Sequence, residues 1–242
     1  MPSDRTIEPK IHTRLHLGCG TRYIEGYVNI DHPPSEHTVQ DKLVADRYAD
    51  ITTLVYPAGS LEEIRLHHVF EHFPRQIALA LLCRWADWLR PGGILRIETP
   101  DVMGSAWSLV LPWTSKAKKQ QVVRHLFGSH EAAWAAHWDG WYEDRFRETL
   151  SSFGFSKFKF DNTHWGALHN IEVIATRGAQ TFSFDQYEGI VNRLLTSSLV
   201  THSSKRSKND IADSEKAMLN VWLREWKSAY FVQPCAAVKK NT

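Results

Sequence analysis

Four stretches of this 242-residue chain bring together residue types that can do chemistry. In the first, Leu15-His16-Leu17-Gly18-Cys19-Gly20, two glycines one residue apart close an apolar run, as where a buried strand ends in a turn whose backbone must pass close to a ligand. Eleven positions beyond Gly20, the run Tyr27-Val28-Asn29-Ile30 ends in Asp31. A carboxylate at the tip of a second strand can accept hydrogen bonds from both hydroxyls of a ribose. The other three stretches carry acids and bases: His68-Val69-Phe70-Glu71-His72, Thr99-Pro100-Asp101 and His137-Trp138-Asp139-Gly140-Trp141. Histidine, with an ordinary pKa near 6.5, exchanges protons at neutral pH, and indole faces can stack on a sugar or an aromatic ring.

What surrounds the glycine pair narrows the ligand. A dinucleotide fingerprint places a third glycine three residues after the second and its acidic residue roughly 20 positions on. Here Tyr23 holds the third position and Asp31 comes too early. The segment from Thr21 to Gly26 contains no lysine, which excludes the phosphate loop of the G-x-x-x-x-G-K-[ST] type. A nucleoside without phosphates remains.

The elements that must position these residues follow from apolar periodicity. Strands are predicted at 14–17, 27–30, 42–45, 63–67 and 94–98, with a helix before the last of them, where Ile77, Leu81, Leu82, Trp85 and Leu89 recur at three- and four-residue steps between Pro74 and Pro91-Gly92-Gly93. Strand, helix, strand with such a turn is a right-handed βαβ crossover. Only Thr21 to Gly26 separates the first two strands, so a loop is expected where parallel neighbours ordinarily need about a dozen residues. Beyond Asp101 comes a tryptophan-rich region (Trp107, Trp113, Trp134, Trp138, Trp141), and 102–141 is read as a lid over the substrate. A helix at 142–152 with Gly154 as its stop and strands at 157–160 and 171–176 complete an antiparallel end. Two further helices are expected at 184–200 and 214–231, joined by a polar linker at 201–209. The second carries the apolar stripe Leu219, Trp222, Leu223, Trp226 and Tyr230, read as packing on the parent domain, with a dimer interface or a cap as the other uses. The predicted fold is an α/β, three-layer, Rossmann-like sheet, mostly parallel with an antiparallel C-terminal strand, with a domain at 1–178 and a helical extension at 179–242.

These motifs resemble those of the class I S-adenosylmethionine-dependent methyltransferases, in the short-first-helix branch written L-x-L-G-C-G followed by G-[WY]-x-N-[IV]-D. Ala49-Asp50-Ile51 is similar to that family's next acidic position, His67 to His72 to its H-V-L-E-H stretch, and Leu89-Arg90-Pro91-Gly92-Gly93 to its L-[KR]-P-G-G turn. The resemblance spans about residues 14 to 177. It implies S-adenosylmethionine as cofactor: Gly18 and Gly20 pass beside its methionine part, Asp31 holds the ribose, and Asp50 meets the adenine, with Cys19, Ile51 and His68 in the same cofactor-binding set. The expected reaction is methyl transfer, most simply at oxygen, to a small-molecule or glycan acceptor, the acceptor class coming from the company this branch keeps. His72, Asp101 and His137 are the candidate catalytic residues, although Asp101 is as good a cap for a helix beginning near Val102 and Asp139 could cap the next one.

Two other classes stay open: a non-catalytic cofactor-binding module, and a hydrolase using His68-x-x-Glu71-His72 as a metal signature. The hydrolase needs both histidines on one helix face, and Pro74 opposes that. Some methyltransferases of this fold, including ubiquinone-pathway O-methyltransferases and small-RNA 2′-O-methyltransferases, bind a divalent ion through E-x-x-E-H at this place. Here His68 replaces the first glutamate. The stretch is read as a histidine cluster lining the cleft, with no metal expected.

Composition bounds the rest. A net charge of +2, from 29 Lys+Arg against 27 Asp+Glu, gives no field that would gather nucleic acid or an anionic membrane, and the Lys116 to Lys119 run reads as a solvated helix face. Cys19, Cys83 and Cys235 show no metal spacing and no paired framework. Residues 1–13 form a polar leader without an apolar core and no run can span a bilayer, so a cytoplasmic protein is expected, and a homodimer through the C-terminal helices stays open. His16, between leucines, is read as a satisfied core histidine.

Overall fold

The apolar runs pair into one sheet. The computed structural model describes residues 13–39, 42–204 and 207–231. Its strands β1 (Arg14–Leu17), β2 (Val28–Asp31), β3 (Arg47–Tyr48), β4 (Leu61–His67), β5 (Leu89–Pro100), β6 (Phe155–Trp165) and β7 (Leu168–Arg177) form a seven-stranded sheet in the order β3-β2-β1-β4-β5-β7-β6. The first five are parallel, and β7 runs antiparallel to both β5 and β6. Helices α1 (Arg75–Trp88), α2 (Val102–Val110), α3 (Lys116–Phe127), α4 (Glu143–Ser152), α5 (Phe184–Thr196) and α6 (Asp213–Tyr230) complete a layered α/β Rossmann-like fold with helices on both sides. Among the described residues no helix is long and apolar enough to cross a membrane.

In-register neighbours Leu15, Ile64, Leu95 and Ala175, with Leu17, Leu66, Ile97 and Val173, give one sheet face that is fully buried. The helix α1 packs there with Leu81, Leu82 and Trp85. The stripe on α6 is spent on the same core: Trp226 is fully buried, and Leu219, Trp222, Leu223 and Tyr230 pack beside it. Alternation along the strands turns charge to the opposite face, where Arg96 of β5 lies 3.8 Å from Glu63 and 3.4 Å from Glu172.

The link between β1 and β2 contains no helix, as its length requires, and Asn29 holds it down. The Asn29 side chain is completely buried on β2. Its oxygen accepts from Ile24 N at 3.0 Å and meets His16 Nδ1 at 3.0 Å; its amide donates to Ile24 O at 3.1 Å and to Asp46 Oδ2 at 2.9 Å. Backbone polar groups turned away from water must be answered, and one buried asparagine answers both groups of the half-buried Ile24. Burial holds His16 neutral, pushing its pKa down to about 4.

Several boundaries differ from the sequence reading. The third strand is at Arg47–Tyr48, not 42–45, because Asp46 is captured by Asn29, its backbone N donating to Asn29 O, and β2 pairs only beyond that point. The strand after α1 begins at Leu89, so Pro91-Gly92-Gly93 form an irregularity inside β5, exposed at Pro91 and Gly92, instead of a turn before it. The polar segment at 201–209 is not a bare linker but a hairpin of β8 (Thr201–Ser204) and β9 (Ser207–Ile211). Asp139 does not cap α4; Arg145 grips both its oxygens, at 2.7 and 2.6 Å. Residues 1–12 of the polar leader and Cys235 lie outside the described residues, while Cys19 and Cys83 are buried free thiols.

Replacing Asn29 with Ala strands several buried polar groups and is expected to lower unfolding stability by roughly 2–4 kcal/mol in urea titrations. For His16, the folded pKa lies below the unfolded one. The native state therefore binds fewer protons, and the contribution of neutral His16 is complete above pH 6.5 and lost as pH falls through about 4. A ring titration followed by NMR should show that low midpoint.

Candidate active site

Parallel strands of an α/β sheet deliver their carboxyl ends to one edge, where such folds place their clefts. A cavity of about 340 Å³ opens there, against the ends of β1, β2 and β4. That volume is within the span of small-molecule sites. The cavity wall includes Gly18, Cys19, Gly20, Asp31, Asp50, Ile51, His68 and His72, which brings together all seven of the sequence-derived cofactor residues and one candidate catalytic residue.

Gly18 and Gly20 take left-handed backbone angles, φ +67° and +54°. The turn is fixed by Ile30 O, which accepts from both Gly18 N (2.8 Å) and Cys19 N (3.1 Å). A Cβ on Gly18 would fall inside the side chain of Val69, the second residue beyond β4, so the glycine is demanded by that neighbour as well as by its own φ. Cys19 is 3% exposed, and burial with the nearby Asp31 charge raises its thiol to about 12, which leaves it protonated and chemically quiet.

Asp31 is 6% exposed and pinned from several sides. Gly20 N donates to Oδ2, His32 N donates to Oδ1 at 2.7 Å, and His37 Nε2 stands 3.3 Å from Oδ1. An ionised carboxylate has about four acceptor positions, so its oxygens retain room for a diol. Asp50 starts the 3-10 turn Ile51–Thr53: its Oδ1 takes both Thr52 N and Thr52 Oγ at 2.8 Å, which sets the apolar Ile51 against the cavity.

At the exit of β4 the backbone turns sharply, with His68 at φ +52°. Its ring lies between two carboxylates, 3.2 Å from Glu71 Oε1 and 3.2 Å from Glu98 Oε1. Burial opposes the charge, but these two partners overcome it and lift the His68 pKa to about 10, while Glu98 is held well below the usual range by His67 and His68. His68 is thus a fixed cation rather than a base. Pro74 starts α1, and Phe70–His72 is a separate 3-10 turn, so His68 and His72 do not share a helix face as a peptidase motif requires.

The candidate catalytic residues separate in space. His72 lines the cavity, and its Nδ1 lies 3.1 Å from Ala136 O. His137 packs behind it, ring centroids 4.7 Å apart, with Nε2 3.9 Å from Glu71 Oε1. Burial lowers the His137 pKa. Asp101 spends both oxygens capping α2, accepting from Met103 N and Gly104 N at 3.0 Å each, and it is not in the cavity wall. Sequence reasoning missed His37, and it gave Trp134 only as one of the tryptophans of the lid. These rings meet at a tilt, centroids 5.2 Å apart, in the cavity wall, one returned by the turn Pro34–Glu36 and the other supplied by the tryptophan-rich segment. The Pro33-Pro34 pair was the available signal for the first. Trp107, Trp113 and Trp138 are instead exposed.

No family model matches the chain, and no curated protein is similar to it. Solved structures are. A methyltransferase in complex with the Haloferax volcanii Trm112 methyltransferase activator aligns at a TM-score of 0.50 with 12% identity, over 74% of this chain and 87% of that one. A SAM-dependent methyltransferase from Archaeoglobus fulgidus aligns at 0.48 with 14% identity, over 68% and 85%. Another, from Methanosarcina mazei, aligns at 0.44 with 14% identity, over 69% and 92%. Across eight of the solved chains it matches, this one spans between 47% and 92% of their lengths. The chain has the Rossmann-like methyltransferase fold.

Gly18→Ala is expected to destabilise the protein by about 2–4 kcal/mol through steric overlap and the left-handed φ. Adding Val69→Ala should recover the steric part and leave the backbone part, giving a non-additive double-mutant cycle in denaturant unfolding.

Proposed function

We propose that this protein is an S-adenosylmethionine-dependent methyltransferase, acting on a small-molecule or glycan acceptor, with oxygen as the atom methylated. One observation carries the cofactor reading: a nearly buried carboxylate, Asp31, is fixed beside a turn of two left-handed glycines at the wall of a cavity of matching size. The turn offers backbone where a phosphate-free ligand must come close, and the carboxylate offers acceptors for a ribose diol. Ile51 supplies an apolar surface for a base, and Asp50 keeps one carboxylate oxygen free of its capping bonds for an exocyclic amine.

Such a site needs little else. The sulfonium is already activated, so the protein's task is to orient acceptor and donor in line and to exclude water. In this reading His68, a fixed cation, closes the cofactor side. His72 and Trp134 form the acceptor side, and residues 102–141 act as the lid. Asp101 is assigned to the architecture because helix α2 consumes it. The exposed rings of Trp107, Trp113 and Trp138 support a flat or sugar-bearing acceptor, since an indole face can stack on either.

Calorimetry with S-adenosylmethionine and with its demethylated product tests the cofactor. Asp31→Ala should weaken both by roughly 1–3 kcal/mol, the cost of losing a charged hydrogen-bond partner, in protein whose melting transition is retained; equal affinity would remove the ribose role. A panel of glycans, phenols and amines with radiolabelled methyl donor tests the reaction. Cofactor binding with no labelled acceptor from any class would favour a binding module.

A further inference from the structure

We infer that the outer face of helix α2, with the link to α3 and the lysines that follow it, seats on an anionic lipid bilayer. The inference goes beyond methyl transfer and does not rest on it. Neither Trp107 nor Trp113 is in the wall of the cavity at the ends of β1, β2 and β4.

Helix α2 is amphipathic in the inverted sense. Ser105 and Ser108 are its buried residues, and Ser108 Oγ lies 2.9 Å from His169 Nε2 of β7. Met103, Ala106, Trp107 and Val110 recur at three- and four-residue steps, which puts them on one side of the helix, and all four are exposed. Two indoles stand out: Trp107 is 63% exposed, and Trp113, in the link to α3, is 78% exposed. A helix on the surface of a protein in water ordinarily turns its apolar stripe inward, so a stripe turned outward marks a contact surface.

Charge beside the stripe identifies the occupant. From Val102 to His130 the chain contains no Asp or Glu, and Lys116, Lys118, Lys119 and Arg124 give that segment a formal +4, against +2 for the whole chain. None of these four cations meets a carboxylate among the described residues. The global balance gathers no membrane, but here unpaired basic groups follow directly on exposed apolar ones, on two helices that pack together. A bilayer interface answers both: apolar side chains enter the acyl boundary, indoles sit at headgroup level, and lysines meet lipid phosphates. Nucleic acid would answer the lysines and leave Met103 and Val110 in water. A second copy of the chain would cover the stripe and set lysine against lysine. Asp101 caps α2 directly after β5, so this face belongs to the same carboxyl edge of the sheet as the cavity.

Co-sedimentation of the full chain with phosphatidylcholine vesicles, made with and without phosphatidylglycerol, tests the inference. We expect partition into the anionic vesicles only, weakening as salt is raised. Trp107→Ala combined with Trp113→Ala, and separately Lys116→Gln combined with Lys118→Gln and Lys119→Gln, should each lower the partition coefficient roughly tenfold or more in protein that keeps its melting transition. Lys216→Gln, on α6, should leave it unchanged. Brominated acyl chains should quench the tryptophan fluorescence of the parent protein more than that of the Trp107, Trp113 double variant. No partition, partition that is equal in neutral vesicles and indifferent to salt, or partition that survives both sets of substitutions overturns the inference. So does binding of single-stranded RNA, or self-association in sedimentation equilibrium, that the same substitutions abolish while vesicles are ignored. Cofactor affinity is measured in lipid-free buffer, so failure of the lipid surface and failure of the methyltransferase reading give different results.

Discussion

Two parallel strands joined by a handful of residues set the terms for this molecule. A crossover helix would ordinarily bury the link between β1 and β2, and here no length is available for one. The backbone groups of the loop must still be satisfied, and Asn29 does this from inside the sheet while joining Asp46 to the same network. Because the chain must reverse within so few residues, Gly18 and Gly20 adopt left-handed angles, and their turn stands open at the sheet edge. Asp31 then ties the end of β2 back to Gly20 N. Cavity, glycine turn and carboxylate are one consequence of a missing helix.

The second organising feature is charge placed where the sheet ends. The strand β4 stops at His67, and the left-handed His68 swings its ring between Glu71 and Glu98. Buried carboxylates are tolerated only when compensated, and this imidazolium is the local compensation. It also removes His68 from acid–base chemistry at neutral pH. Beside it, His72 and His137 pack edge to face, and their mutual packing depends on the contact between the Glu71 turn and the segment ahead of α4.

The C-terminal helices belong to the core. Trp226 of α6 is buried in the same cluster as Trp85 of α1, and Phe184 stacks on it at 5.6 Å. The apolar stripe is therefore consumed within the chain. Tyr187 of α5 donates to Asp87 of α1 at 2.7 Å, which locks the extension in register.

The sequence by itself determined most of the elements and the placement of Gly18, Gly20 and Asp31 at one sheet edge, in the wall of one cavity. These residues are close in the chain, and their placement follows from local backbone geometry and strand periodicity, so short-range pattern sufficed. The core faces of the strands and the α1 and α6 stripes were legible for the same reason. Only the tertiary structure decided that Asp101 is a cap, that Asp139 belongs to Arg145, that His37 and Trp134 line the cavity, and that donor atoms of Glu71, His72 and His137 lie within 4.8 Å of one another. Each of these depends on how an irregular segment folds back onto a strand end. No hydrophobic period records that path; it is set by single hydrogen bonds between residues far apart in the chain, as with Trp138 N to Glu71 O.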